Sequence, residues 1–163
     1  MKFFTLAWWS SACEDSDALF RKYQVFVADF FDRLPDSYQR LHRDLSLHDS
    51  RLRRFDADYR HQTLEIHLDG HGFDRTDNSY FERKFTLRYY DVKQVLTVSD
   101  PQQGLPGPHG YGDLGYDEIE LLSSGELEHR LLFSSGIVLT VRHGGFKIDV
   151  SDLDSEGRTR RVS

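Results

Sequence analysis

Three side chains that could bind a metal alternate along one short stretch of the sequence: His67, Asp69 and His71. Residues at alternate positions of a β-strand share one face, so these three could converge. Two imidazoles and a carboxylate are a familiar ligand set for an open divalent-metal site, which would indicate a metal-dependent hydrolase. The alternative is an ordinary solvated face, with Gly70 and Gly72 bending His71 away. Because spacing alone is a weak signal, we favour the alternative and expect no cofactor.

Other residue types that could do chemistry lack the necessary arrangement. His48, Asp49 and Ser50 are adjacent, whereas the members of a hydrolytic triad converge from separate parts of a chain. A connection between a helix and a strand, with hydrogen bonds to nearby backbone amides, explains them better. Cys13 has no Cys-X-X-Cys partner, and the two acidic residues after it would raise the pKa of its thiol. We therefore expect no catalytic residue and favour a protein that is not an enzyme.

One histidine is expected in the core. His129 falls on the same face of a predicted strand as Leu127 and Leu131. A histidine on an apolar strand face is usually buried and hydrogen-bonded rather than a ligand. The expected partner is Glu118 or Glu120, on a neighbouring strand.

Two segments contain candidate contact residues. Neighbouring residues of a helix point about 100° apart, so Trp8 and Trp9 cannot both face one core from a single helix, and one of them could form part of a contact surface. We favour the alternative, in which both pack under the edge of the sheet. Residues 99–113 are rich in Gly and Pro and predict an irregular loop without the Lys-Ser/Thr ending of a phosphate-binding loop. The candidate contact residues of this loop are His109, Tyr111 and Asp113.

The N-terminal third is predicted to be helical. Thr5 can cap a short helix that extends to about Cys13. Asp15 or Ser16 can cap a second helix, with apolar residues spaced three and four apart as far as Leu34. Pro35 ends this helix. A shorter helix, capped by Asp36 or Ser37, follows it and carries Tyr38, Leu41 and Leu45 on one side.

Alternating patterns after residue 47 predict β-strands. They cover residues 50–58, 64–69, 80–90, 118–121, 127–133, 137–142 and 146–150, while residues 91–98 fit either a strand or an irregular crossing. Gly70 is expected to end one strand, and Gly144-Gly145 to make a tight hairpin turn. The sequence thus predicts an α+β fold in which N-terminal helices pack on a mostly antiparallel meander sheet of six to eight strands. It predicts one domain over residues 1–153, helical in 1–46 and a sheet in 47–153, and a polar tail over 154–163.

Composition narrows the class of protein. The 163 residues carry a net charge of -6, and nucleic acid is not an expected partner because its binding needs a clustered basic face. A single cysteine is typical of a reducing compartment, so we expect a cytoplasmic protein. No run approaches the roughly 20 apolar residues that span a bilayer, so no membrane is expected. Residues 2–13 partly resemble a lipoprotein signal, but their apolar run from Phe3 to Trp9 is short, and we expect a native helix there.

Several short strings resemble a loose group of uncharacterised bacterial domains, some of them similar to immunity proteins of polymorphic toxins. The strings are MKFFT (1–5), WW (8–9), LHDS (47–50), YDEI (116–119) and EHRLLFSSG (128–136). The resemblance implies helices followed by an antiparallel sheet and carries over no catalytic residue.

Three functions remain open. The first is a protein-binding, immunity-like module that neutralises another, possibly basic, protein through an acidic surface. That surface would include Glu14, Asp15, Asp17, Asp117, Glu118 and Glu120. The second is the metal-dependent hydrolase. The third is a structural or accessory subunit that uses a sheet edge or the Trp pair as its contact. The sequence leaves the oligomeric state open.

Overall fold

The computed structural model describes residues 1–74, 79–99 and 110–153. Its helices are α1 (Leu6–Ser10), α2 (Ser16–Ala28) and α3 (Asp36–Asp44), with one 3-10 turn at Phe31–Arg33. Thr5 caps α1 as predicted, because its side chain accepts a hydrogen bond from the amide of Trp8. The helix ends three residues earlier than predicted, and Ala12 and Cys13 then adopt positive φ angles of 60° and 57°. The N-cap of α3 is Pro35 rather than Asp36 or Ser37.

Eight strands follow in the described residues, and the predicted α+β class is confirmed. They are β1 (Ser50–Asp58), β2 (Thr63–Asp74), β3 (Ser79–Tyr90), β4 (Gln94–Val98), β5 (Asp113–Leu121), β6 (Leu127–Phe133), β7 (Val138–His143) and β8 (Gly145–Leu153). Every pairing between them is antiparallel. The predicted end of β2 at Gly70 is wrong. Gly70 and Gly72 lie inside this strand, where a β-carbon would meet the Ser50 side chain and the Phe81 ring respectively, so the glycines allow close packing rather than a turn.

The strand order is β4-β7-β6-β5-β1-β2-β3-β8. The predicted hairpin at Gly144-Gly145 is therefore wrong, because β8 pairs with β3 and not with β7. Gly144 instead forms a corner, where its amide donates to the carbonyls of Tyr90 and Asp91 at 3.1 and 3.2 Å. The chain passes through this corner twice, from β3 into β4 and from β7 into β8. Two short connections, residues 91–93 and Gly144, thus join the half β1-β2-β3-β8 to the half β5-β6-β7-β4.

The core lies between the inner faces of these two halves, with α2 and α3 packed against it. Tyr89 of the first half reaches His129 of the second, and Tyr38 of α3 stacks on Phe146 of β8 with ring centres 3.8 Å apart. The fully buried residues of the core include Tyr38, Leu64, Ile66, Leu68, Phe85, Leu87, Tyr89, Ile119, Leu131, Phe133, Leu139 and Val141. On the β1–β5 side, the described residues of the two strands are paired only at Ser50–Leu114 and Arg51–Asp113. Beyond these pairs, the helices cover the open edge of β5.

None of the described helices has the length and apolar character needed to cross a membrane. His109, most of the predicted loop and the predicted tail over residues 154–163 lie outside the described residues.

Candidate functional site

His67, Asp69 and His71 lie on the outer face of β2, as their alternation predicted. The structure does not bring them together as metal ligands. Asp69 accepts a hydrogen bond of 2.7 Å from Nε of Arg53 on β1. The Nε2 atom of His67 lies 3.5 Å from carboxylate oxygens of Asp56 and Glu65 instead. Residues 1–74, 79–99 and 110–153 contain no group of three His, Cys, Asp or Glu side chains that could hold a metal ion.

The residues around Asp69 and His71 line a groove of about 390 Å³ on the outer face. Its charges neutralise one another. Arg51 donates to Asp113 at 2.8 Å, and Arg83 donates two hydrogen bonds to Asp152, at 2.6 and 2.8 Å. The bonds to Asp152 raise the pKa of the Arg83 guanidinium. The predicted contact residue Asp113 is thus half of an ion pair.

The Glu118 and Glu120 side chains hold the N-terminal segment on β5, so the predicted acidic surface does not include them as free groups. Glu118 is 1% exposed and accepts hydrogen bonds from the amides of Lys2, Phe3 and Phe4 at 2.8, 2.7 and 2.7 Å. Glu120 bonds to Nζ of Lys2 and to Arg130. Burial raises the pKa of Glu120, but these two cations outweigh that effect and lower it. Neither carboxylate faces His129, so the predicted histidine partner is wrong.

Trp8 and Trp9 both contact Tyr116 of β5, although they point in different directions from α1. Their rings meet the Tyr116 ring edge-on, with centres 5.1 and 5.5 Å apart. The Trp9 ring occupies the space where Gly115 has no β-carbon. Both tryptophans are half-buried, so their main structural role is to attach α1 to the sheet. Only the remaining exposed part of each ring is available for contact with a partner. Tyr111 has a similar role, since its ring packs edge-on against buried Phe133.

A cavity of about 420 Å³ opens between the helices and the edge of β5. It lies where β1 and β5 separate. Its walls come from α2, from α3, from β5 and from the segment that precedes β1. The lining residues are apolar and aromatic (Phe4, Phe20, Tyr23, Leu41, Leu45, Tyr116 and Ile119) or polar (Gln24, His42, Ser46, His48 and Asp117), together with Gly115. An apolar cavity of this size with a few converging polar groups is typical of a small-molecule site.

Asp117 connects this cavity to the core. One carboxylate oxygen lies 3.2 Å from Nε2 of His129, and Nδ1 of the same ring lies 2.9 Å from the Tyr89 hydroxyl. His129 and Tyr89 are fully buried, whereas the Asp117 side chain is 25% exposed. Burial raises the pKa of Tyr89, so its hydroxyl keeps its proton and can donate it to Nδ1. In this arrangement Nε2 carries the ring proton and can donate it to Asp117.

Two side chains of the cavity wall, those of His48 and Tyr23, are hydrogen-bonded to the backbone of β5. His48 Nδ1 lies 2.5 Å from the carbonyl oxygen of Gly115, and the Tyr23 hydroxyl accepts a hydrogen bond of 2.8 Å from the amide of Ile119. Burial lowers the pKa of His42, which lines the same cavity. His48 makes no hydrogen bond to Ser50, whose hydroxyl is buried without a partner in the described residues. The residue types of a triad therefore do not form one.

No known family model matches this chain, and neither does any curated protein. Sequence reasoning placed Asp117 on an acidic surface and missed its contact with His129. The sequence held only part of the signal, because the alternation puts Asp117 and Ile119 on one face of a strand, whereas the register that places Ile119 opposite His129 is known from the structure alone. A carboxylate on an apolar face needs a buried partner.

Proposed function

We propose that this protein is a non-enzymatic binding module, similar in role to an immunity protein, which takes up an extended segment of a basic protein along β4. The observation that carries the proposal is the exposure of this strand. All five of its residues are exposed, and three of them are apolar: Val95, Leu96 and Val98. Exposed strand edges are templates for the addition of another strand.

The two ends of the sheet differ in a way that supports this role for β4. In the described residues β4 pairs with β7 alone, and its sequence QVLTV has no charged residue and no proline. Charged residues and proline are the features with which natural proteins usually protect an edge strand. The other terminal strand, β8, carries Lys147, Asp149 and Asp152, and Asp152 is bonded to Arg83. The unprotected end is thus the one suited to a partner.

Charge supports a basic partner. The chain has 27 acidic and 21 basic residues, which gives the net charge of -6. A field of this sign speeds the approach of a basic protein and repels an acidic one. A second copy of the chain carries the same charge, so we favour a different protein as the occupant. Catalysis receives no comparable support, because the His/Asp cluster is engaged in ion pairs and the His48 segment lacks a nucleophile bonded to a base.

The test compares partner recovery by three proteins, each tagged and expressed at native level in the host of origin. Leu96→Lys places a charge on the β4 edge, and Val25→Lys makes the same kind of change at an exposed position of α2. We expect wild type and Val25→Lys to recover one basic protein in stoichiometric amount, and Leu96→Lys to lose about nine tenths of it. Recovery of no such protein, or equal recovery by Leu96→Lys, would contradict the proposal. Light scattering that shows a dimer dissociated by Leu96→Lys would identify a second copy as the occupant, and would also overturn it.

A further inference from the structure

The charges that line the cavity beside β5 are of one sign. Among the described residues that line it, Asp117 is the only carboxylate and there is no Lys or Arg. The cations Lys2 and Arg130 are bonded to Glu118, Glu120 and Glu128 on the other face of β5 and on β6. The cavity therefore contains a carboxylate whose described partners include no lysine or arginine.

Asp117 also has unused hydrogen-bonding capacity. Among the described residues, His129 is the only hydrogen-bond partner of its carboxylate. Residues two apart in an antiparallel strand direct their backbone groups to the same side. The amide of Ile119 points away from β6, toward Tyr23, so the amide and carbonyl of Asp117 point toward the cavity as well. A carbonyl and a carboxylate oxygen of one residue are thus available to a donor there.

The walls of the cavity suit a cation that carries apolar groups. The rings of Phe20, Tyr23 and Tyr116 line it, and aromatic rings attract organic cations through their electron-rich faces. From these contacts we propose that the cavity beside β5 binds a small organic ammonium ion, with Asp117 as its counter-ion and Phe20, Tyr23 and Tyr116 as its walls. Burial lowers the pKa of His42, which reduces the opposing positive charge that this imidazole can add. The site is separate from β4, and it does not depend on the proposed function.

The test is a titration of the whole chain, followed by 1H–15N NMR, with n-butylammonium, tetramethylammonium and neutral butan-1-ol. We expect saturable shifts at Tyr116, Asp117 and Ile119 with an ammonium probe, at a dissociation constant on the order of 1 mM, and binding of butan-1-ol at least about tenfold weaker. Asp117→Asn keeps an acceptor for His129 but removes the charge, and should weaken ammonium binding about tenfold or more. Asp113→Asn, on the same strand but outside the cavity, should leave it unchanged.

A second variant keeps the test decisive if Asp117→Asn unfolds. Phe20 is 40% exposed, so Phe20→Leu should fold normally. It removes one aromatic face and should weaken ammonium binding roughly two- to fivefold, without affecting butan-1-ol. Equal binding of butan-1-ol and the ammonium probes, undiminished binding by folded Asp117→Asn, or the absence of saturable shifts at β5 would each overturn the proposal.

Discussion

The Tyr89 hydroxyl on β3 and Nδ1 of His129 on β6 lie 2.9 Å apart and connect the two halves of the folded sheet through the core. A parallel contact joins Tyr38 of α3 to Nε2 of His143 at 2.8 Å. Each of these four residues has no more than trace exposure to solvent. Polar groups buried to this extent stabilise a fold only while their hydrogen bonds are satisfied, so they are sensitive points of the core.

Replacing Tyr89 by Phe should destabilise the protein. The change removes one hydroxyl and leaves Nδ1 of His129 buried without its partner, which costs about 1–3 kcal/mol. Urea unfolding should show this loss in the free energy of unfolding. The matched control is Tyr59→Phe, because Tyr59 is 89% exposed and its change should stay within about 0.5 kcal/mol. Equal stability of the two variants would show that the Tyr89–His129 bond contributes nothing.

The free energy of unfolding should decrease as the pH is lowered, because of His143. Burial, assisted by the neighbouring His129, lowers the pKa of His143 in the folded protein from 6.5 to about 3. Between these values the unfolded chain binds a proton that the folded chain does not. The stabilising contribution is therefore complete above pH 6.5 and is lost as the pH falls toward 3, at about 1.4 kcal/mol per pH unit.

The measurement is the free energy of unfolding of wild type and His143→Gln between pH 5 and 7. These limits lie above the range in which most carboxylates titrate. We expect the variant to be less stable at pH 7, because Tyr38 loses its partner, but to have a shallower slope below pH 6.5. The histidines that do not neighbour His143 contribute equally to both proteins, so they cancel in the comparison. Parallel slopes would assign the pH dependence to other groups.

Glu118→Gln should loosen the N-terminal segment. The carboxylate accepts hydrogen bonds from three successive amides, of Lys2, Phe3 and Phe4, and an uncharged amide side chain has only one acceptor oxygen for them. Hydrogen exchange at these amides should become faster, with a loss of about 1–3 kcal/mol in stability. Glu82→Gln, at an exposed position of β3, should change neither quantity. Unchanged exchange in Glu118→Gln would show that other contacts hold this segment.

Much of the fold could be predicted from local patterns. The strand over 50–58 and the cap at Thr5 were predicted correctly, because alternation and capping depend on neighbouring residues. The glycines were misjudged for one physical reason. A glycine marks a turn, a corner or a close approach equally well, and only the three-dimensional neighbours decide which. Gly70 faces the Ser50 side chain, and Gly144 forms a corner between strands that are distant in the sequence.

The candidate site could be predicted only in part. The apolar pattern of β6 correctly placed His129 in the core, because the alternation within one strand is enough to show which face a residue lies on. The partner of His129 could not be deduced from the sequence, because it depends on the register between β5 and β6. This register places Ile119, and not Glu118, opposite His129. The polar alternation of Glu118 and Glu120 indicated an exposed face. This inference failed because residues 2–4, more than a hundred positions earlier, cover that face.

The corner at Asp91 and Gly144 bears on how the chain acquires its structure during synthesis. Because β3 and β7 each continue into the opposite half, neither half is complete without strands that emerge late from the ribosome. The inner strand β3 gains its second neighbour only when β8 has been made. Pairings between segments so distant in sequence form slowly. We therefore expect the final sheet to form after translation of β8, with the edge of β3 uncovered until then.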